Sequence, residues 1–166
     1  MRHFIVHTRR AGHVVTRPLN CGVRRLVKAP IESQPLSERE AFENGYYYFV
    51  TAVEILSLPA SAQCERMGNY NTAWELKDDV GAGSHLLRSP SSSRLSEAQR
   101  AAIVALLAAV AEVPANELPA GDSREANLAA MQHPAWMPLR PKAAALLELL
   151  APATQECKRY LKLGGE

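Results

Sequence analysis

The chain has 166 residues, of which 47% are apolar and 22% charged, and its formal net charge is +2. These values are typical of one soluble globular domain that buries its own core. Three scattered cysteines, Cys21, Cys64 and Cys157, exclude a disulfide framework and favour a reducing, cytoplasmic compartment. We expect neither a membrane-spanning helix nor a secretory signal, because no apolar run approaches the necessary length.

The first 30 residues contain seven basic residues and no acidic one. The remaining 12 basic and 17 acidic residues make the rest of the chain mildly acidic. We therefore interpret residues 1–36 as a basic arm that is disordered or lies outside the core, and residues 37–166 as the helical domain. Three interpretations of the arm remain open: a transit peptide, an upstream extension without selected structure, or a tail that contacts nucleic acid weakly through Arg9, Arg10, Arg24 and Arg25.

The first helices are predicted from caps and periodicity. Ser37-Glu-Arg-Glu40 fits a capping box, and Asn44-Gly45 is expected to interrupt the lead-in that follows it. Apolar residues from Tyr46 to Leu56 recur at spacings of three and four, which predicts a helix. Pro59, with Ser57 as its cap, predicts the start of a second helix that ends near Gly81 or Gly83.

Three further helices follow. The segment 88–94 is predicted to be a loop, and a second capping box, Ser96-Glu-Ala-Gln99, opens the clearest helix of the chain. Asp122 is expected to cap a short helix that stops at His133-Pro134. The last helix is predicted to start near Pro141, to continue across Pro152 with a kink, and to end at Gly164-Gly165. The chain is thus predicted to be an all-α bundle of about five helices with a poorly structured basic N-terminal arm.

The most informative stretch is Met67-Gly-Asn-Tyr-Asn-Thr-Ala-Trp-Glu-Leu-Lys-Asp-Asp79, which is polar within an apolar helical pattern. Asn69, Tyr70 and Asn71 are poor choices inside a helix. They indicate either a polar binding surface or buried hydrogen-bond network, or a local helix break at Gly68-Asn69 with Asn capping a new turn. If Asn71 faces inward, Glu75 or His133 is the expected partner.

Tryptophan is enriched at binding hot spots, although in bundles it more often fills the core, and we expect Trp74 to face inward with Cys64 and Met67. Arg140 is expected to be solvated, or to pair with an acidic residue or a ligand carboxylate. We predict that the polar and aromatic residues of this stretch and of the turn near Trp136 form the binding site. The residues are Asn69, Tyr70, Asn71, Trp74, Glu75, Asp78, Asp79, His133, Trp136 and Arg140.

Glu75 and Asp79 are four residues apart on one predicted helix face, and with His85 and His133 as further ligands they are candidates for a metal site. The Glu-x-x-His pairs of metal-binding bundles are absent, so we predict neither a metal nor a cofactor. The residues flanking Cys64 provide no electropositive pocket, and no glycine-rich phosphate loop is present. We therefore predict no catalytic residue.

The remaining features favour a non-enzymatic helical module of bacterial type that binds another protein, as an immunity- or antitoxin-like or regulatory protein would. The Ala- and Arg-rich composition is the basis for the bacterial assignment. Two alternatives remain: a bundle that binds a small ligand or a metal, and nucleic-acid contact through the basic arm.

Overall fold

The computed structural model describes residues 35–163, and every regular element among them is a helix. The α-helices are α1 (Glu38–Ser57), α2 (Ala60–Arg66), α3 (Thr72–Gly81), α4 (Ser84–Arg88), α5 (Glu97–Ala111), α6 (Arg124–Met131) and α7 (Leu139–Tyr160). Short 3-10 turns join them at Pro90–Arg94, Ala115–Glu117 and Pro134–Trp136. The predicted all-α class is confirmed, with six helices of seven or more residues instead of about five, and α4 as an additional single turn.

The basic arm and the last three residues lie outside the described residues. The predictions for the arm, including the nucleic-acid contact through its arginines, therefore stay predictions. The last helix ends at Tyr160, a few residues before the predicted end at Gly164-Gly165.

Helix α1 is longer than expected, because Asn44 and Gly45 do not interrupt it. The Ser37–Glu40 capping box is confirmed: the Glu40 amide donates to Ser37 Oγ at 3.2 Å, and the Ser37 amide donates to Glu40 Oε2 at 2.8 Å. The Asn44 side chain donates to the carbonyl of Glu40 at 2.8 Å, so it bonds within the helix instead of breaking it. The result is one continuous helix of 20 residues.

Two other predicted caps are wrong. Ser57 Oγ donates back to the carbonyl of Glu54, so α2 begins after Pro59 without a side-chain cap. The N-cap of α6 is Ser123, whose hydroxyl accepts from the Ala126 amide, and not Asp122. Both errors shift a helix boundary by two residues or fewer and leave the helix itself in place.

The centre of the bundle is the antiparallel packing of α1 against α7. The Arg39 guanidinium lies 4.1 Å from the centroid of the Tyr160 ring, and Cys157 Sγ donates to the carbonyl of Glu43 at 3.3 Å. Further along, Tyr46 Oη lies 3.0 Å from Thr154 Oγ1. Apolar side chains from α1, α3, α5, α6 and α7 complete one core cluster around this pair.

Helix α7 begins at Leu139 and continues through Pro152, as predicted. Proline lacks an amide hydrogen, which weakens the helical hydrogen-bond ladder around it. Two side chains from neighbouring helices donate to carbonyls just before this point. Gln99 Nε2 lies 3.1 Å from the carbonyl of Leu149, and Tyr46 Oη lies 3.3 Å from that of Leu150.

The turn Pro90–Arg94 is attached to both long helices by one arginine. Arg94 Nε lies 3.3 Å from Oε1 of Glu43, a buried carboxylate of α1, and Arg94 Nη2 is bound to Glu156 of α7. The buried charge of Glu43 is therefore paired, as a carboxylate in this environment requires.

One described segment is longer and more apolar than expected. Glu97–Glu117, which contains α5, is long and apolar enough to cross a membrane, with a mean hydropathy of 1.4. Core helices of soluble proteins pass the same criterion, and a third of the apolar window is buried here. This corrects the expectation that no apolar run reaches that length.

The buried hydroxyl of Tyr46 makes the unfolding free energy sensitive to alkaline pH. Burial raises the pKa of Tyr46 from 10.0 to about 12, and burial together with Glu43 raises that of Cys157 from 9.0 to about 12. The folded state then holds protons that the unfolded state releases, so stability falls as the pH rises above about 9.

We expect Tyr46→Phe to cost about 1–2 kcal/mol at pH 7, because the hydrogen bonds of its hydroxyl with the Leu150 carbonyl and with Thr154 are lost. Between pH 10 and about 12 the unfolding free energy of this variant should fall less steeply than that of the wild type. Urea denaturation followed by circular dichroism measures both quantities. Tyr48→Phe, at a tyrosine that is 74% exposed, is the matched control and should leave stability unchanged; an equal loss in both variants would contradict the assignment.

Candidate functional site

The polar stretch does not lie on one helix. The predicted helix from Pro59 to Gly81 divides into α2 and α3 at residues 67–71, so the alternative of a local break is correct. Gly68, Asn69 and Asn71 adopt φ angles of +72°, +55° and +41°, which an α-helix does not accommodate. Asparagine tolerates this left-handed region better than most residues, which explains why it occurs twice here.

Asn127, a residue of α6 that sequence reasoning missed, holds this break in place. Its side chain is 1% exposed, and its Oδ1 accepts from the Thr72 amide at 2.7 Å. Its Nδ2 lies 2.9 Å from the carbonyl of Asn69, 2.8 Å from that of Gly121 and 2.9 Å from that of Ser123. One amide group therefore connects the break to the loop before α6.

Asn71 is partly buried, and its hydrogen bonds strengthen the connection between the break and the loop before α6. Its backbone amide donates to the carbonyl of Gly121 at 2.9 Å, and its Oδ1 accepts from the Gly121 amide. The prediction that Glu75 or His133 is the partner of the Asn71 side chain is wrong. The loop at Gly121 supplies the partners of both the Asn71 amide and its Oδ1. Asn69 and Asn71, which are both partly buried, thus belong to one hydrogen-bond network, and Tyr70 between them is exposed.

The expectation that Trp74 faces inward is also wrong, since its side chain is 50% exposed. The break resets the phase of α3, so that Ala73, Leu76 and Val80 form its buried face. Trp74 is directed outward beside Tyr70, which is 56% exposed. Because the break interrupts the apolar stripe that the sequence predicts, Trp74 lies at the surface and not in the core.

Tyr70 and Trp74 line an open depression of about 440 Å³. We call it the aromatic surface; its lining residues are Tyr70, Asn71, Trp74, Glu75, Ala115, Asn116, Leu118 and Ala120. Four predicted site residues, Tyr70, Asn71, Trp74 and Glu75, are therefore brought together, and the segment 115–120, which sequence reasoning did not include, forms the opposite wall.

The predicted carboxylate cluster is divided between two surfaces. Glu75 lies at the aromatic surface, whereas Asp79 lines a groove beside α1, and Asp78 is exposed next to it. Partial burial and the neighbouring Asp78 raise the pKa of Asp79. Among residues 35–163, no three His, Cys, Asp or Glu side chains are close enough together to hold a metal ion.

The predicted residues near the end of α6 are structural. Trp136 is fully buried, and His133 caps its turn by accepting from the Ala135 amide at 3.2 Å. Arg140 Nη2 donates to the carbonyl of Met131, the last residue of α6, at 2.6 Å and to Gln63 Oε1 at 3.3 Å. Burial lowers the pKa of this guanidinium. Arg140 is therefore neither fully solvated nor paired with an acidic side chain among the described residues, and the alternative of a ligand carboxylate stays a prediction.

The larger concave feature, a groove of about 560 Å³ between α1 and α4, was missed by sequence reasoning. We call it the α1–α4 groove. Close approach of the two helices requires two glycines: a Cβ at Gly83 would lie 2.4 Å from the Phe49 ring, and one at Gly45 would lie 3.3 Å from Leu86. Small residues at 41, 45 and 52 share one stripe of α1, and this pattern was the available signal.

Cys64 and Cys157 are buried, and burial is the main cause that raises the pKa of each thiol. A catalytic or redox-active cysteine needs the opposite shift, because the thiolate is the reactive form. The interpretation of Cys64 as a packed core residue agrees with this environment.

Comparison of the chain with protein-family models, with curated proteins and with solved structures finds no match. We therefore assign the class of this protein from the architecture of its described residues. It is an all-α domain, and the concave surfaces of its described part include an aromatic one and an apolar one that residues of α3 help to line.

We expect Asn127→Ala to destabilise the domain by about 3 kcal/mol, because the buried Thr72 amide loses its acceptor and the carbonyls near Nδ2 lose the two N–H donors that they share. Asn116→Ala, at an exposed asparagine, is the matched control and should change stability by less than about 0.5 kcal/mol. Urea denaturation curves give both values. A change in Asn127→Ala as small as in the control would contradict the role of this side chain.

We expect the two described cysteines to react with a thiol reagent only as fast as the domain opens. In a Cys21→Ser variant at pH 8, labelling by a chromogenic disulfide should be slow in buffer and rapid in urea, because both thiols are buried and protonated. Rapid stoichiometric labelling of Cys64 in buffer would indicate a reactive thiol and would reopen the catalytic alternative.

Proposed function

We propose that this chain is a non-enzymatic helical module that binds another protein through the aromatic surface. The observation that carries the proposal is the exposure of Tyr70 and Trp74, which stand together at the rim of one depression. Tryptophan and tyrosine are the residue types most enriched at the energetic centres of protein interfaces. The depression beside them offers space for a partner side chain.

The apolar area that Trp74 still exposes is large enough to make this residue a hot spot when a partner covers it. A tryptophan side chain buries on the order of 200 Å² when it is fully covered, and about half of that surface is still exposed at Trp74. Covering the remainder corresponds to about 2.5 kcal/mol at 25 cal/mol per Å². This is the magnitude expected of an interface hot spot.

The surface is also held in one arrangement before a partner binds. The backbone from Asn69 to Thr72 is fixed by Asn127 and Gly121 through buried and partly buried hydrogen bonds. Ordering an interface on binding costs affinity, and a rigid turn avoids part of that cost. Tyr70 and Trp74 therefore present their rings from a prearranged backbone.

The contacts of three side chains of types that often act in catalysis support binding over catalysis. In the described part of the chain, His133 caps a turn, Arg140 binds a helix end, and Cys64 is packed in the core. The mildly acidic domain fits the proposal of an immunity- or antitoxin-like or regulatory protein of bacterial type, which acts by occupying a partner.

We expect Trp74→Ala to weaken partner binding by about 30-fold, equivalent to about 2 kcal/mol, and Tyr70→Ala to weaken it by a smaller factor. The partner is first captured by affinity purification from the source cells, and its Kd is then measured with purified proteins by calorimetry. Circular dichroism and Tm should stay near the wild-type values, because both side chains are half-exposed.

Val104→Ala is the matched control, since Val104 is a large exposed apolar residue on α5 away from this surface. It should leave the Kd unchanged. If the purified partner binds wild type, Trp74→Ala and Tyr70→Ala equally, the aromatic surface is not its binding site.

A further inference from the structure

The α1–α4 groove has the dimensions of a helix-binding site. Contacts between its walls occur in antiparallel order: Glu38 Oε1 accepts from Ser91 Oγ at 2.8 Å, Gly45 faces Leu86, and Phe49 lies against Gly83. Along α1 the lining extends from Glu38 to Ile55. This distance is about 26 Å, or nearly five helical turns.

The lining of the groove is mainly apolar, and a row of small side chains lies beside the larger Phe42, Phe49, Ile55 and Leu86. Ala41, Gly45 and Ala52 lie along α1, and Ala82 faces them from the segment between α3 and α4. Tyr48 stands at the rim with 74% of its surface exposed. The small residues leave a channel, and the tyrosine offers a large apolar surface beside it.

The charges of the groove are at its ends and are negative. Glu38 lies at one end and Asp79 at the other, where Asp78 is adjacent. Among the described lining residues none is Lys or Arg, and His85 is the one imidazole. Arg88 is exposed nearby, but its Nη2 is engaged by Ser84 Oγ at 3.3 Å and His85 Nδ1 at 3.1 Å. Neither carboxylate at the ends of the groove is paired with a cation in the described part of the chain.

We propose that the α1–α4 groove docks a basic amphipathic helix of a partner protein, about five turns long, with its apolar stripe over the small residues and Lys or Arg near Glu38 and Asp79. An amphipathic helix in an apolar groove is an established mode of recognition, and complementary charge sets its orientation. This site goes beyond the proposed function, because the groove shares no lining residue with the aromatic surface.

The first arm of the test uses a defined probe. It is a fluorescein-labelled 20-residue peptide of Leu, Ala and Lys, with Leu at i, i+3, i+4 and i+7 and Lys at both ends. Fluorescence anisotropy with the full chain should show binding at least tenfold tighter than to a scrambled peptide of the same composition. A peptide with Glu in place of Lys should also bind at least tenfold more weakly. Equal binding of the three peptides would overturn the proposal.

The second arm fills the groove. Ala82→Trp places a large side chain at an exposed position in the lining, and it should weaken binding of the basic peptide at least tenfold. Ala144→Trp makes the same change at an exposed alanine of α7 outside the groove and should have no effect. Ala41→Trp blocks a second position, so a folding defect in Ala82→Trp, detected by circular dichroism, leaves the test intact. Undiminished binding in a folded blocking variant would overturn the proposal.

The third arm removes the charges. The double variant Glu38→Gln, Asp79→Asn should weaken binding about fivefold at low salt and flatten its salt dependence, because two charge pairs are lost. Glu148→Gln, at an exposed carboxylate of α7, is the control. An unchanged affinity and salt dependence in the double variant would refute the basic character of the partner. Trp74→Ala should leave peptide binding unchanged, so failure here and failure of the aromatic surface are separate outcomes.

Discussion

The arrangement of both surfaces depends on the buried side chain of Asn127. Three residues with positive φ leave the backbone between α2 and α3 outside the helical hydrogen-bond ladder, and its polar groups still need partners. Asn127 Oδ1 accepts from the Thr72 amide. Its Nδ2 donates to the carbonyl of Asn69 in the break and to that of Gly121 in the loop before α6. The start of α3 is fixed by these bonds, and with it the direction of every side chain on that helix. Leu76 and Val80 consequently pack inward.

Long polar side chains also complete the ends of other helices. The last turns of α1, α5 and α6 contain no basic residue, although positive charge there would suit the helix dipole. Neighbouring helices provide the donors instead: Gln63 binds the carbonyl of Leu56, Lys77 binds those of Ala111 and Val113, and Arg140 binds that of Met131. Long polar side chains for which the sequence indicates a surface position or a ligand-binding role therefore stabilise the tertiary structure instead.

Local signals were sufficient to predict most of the helices. Both capping boxes, at Ser37 and Ser96, and the stripe of α7 that continues through Pro152 are short-range patterns, and the structure confirms them. The site was less predictable because it depends on distant contacts. Asn127 carries no sequence signal that separates it from a solvated asparagine, and its partners are up to 58 residues away. The inward orientation expected of Trp74 assumed an unbroken helical phase from Cys64, which the positive-φ turn removes. Gly45 resembled a helix breaker, whereas its role is to admit Leu86.

Helix α3 is only ten residues long, yet it contributes to the core and to two different surfaces. Successive residues of an α-helix are about 100° apart, so Trp74 and Asp79 point about 140° away from each other. Leu76 and Val80 occupy the core side, which leaves Trp74 to face the segment 115–120 and Asp79 to face α1. Glu75 and Asp79 are close in angle but about 6 Å apart along the axis, and each is directed to a different surface. The carboxylates that appear in the sequence as one cluster are thus separated by geometry. This separation gives the aromatic surface and the α1–α4 groove one acidic residue each from α3.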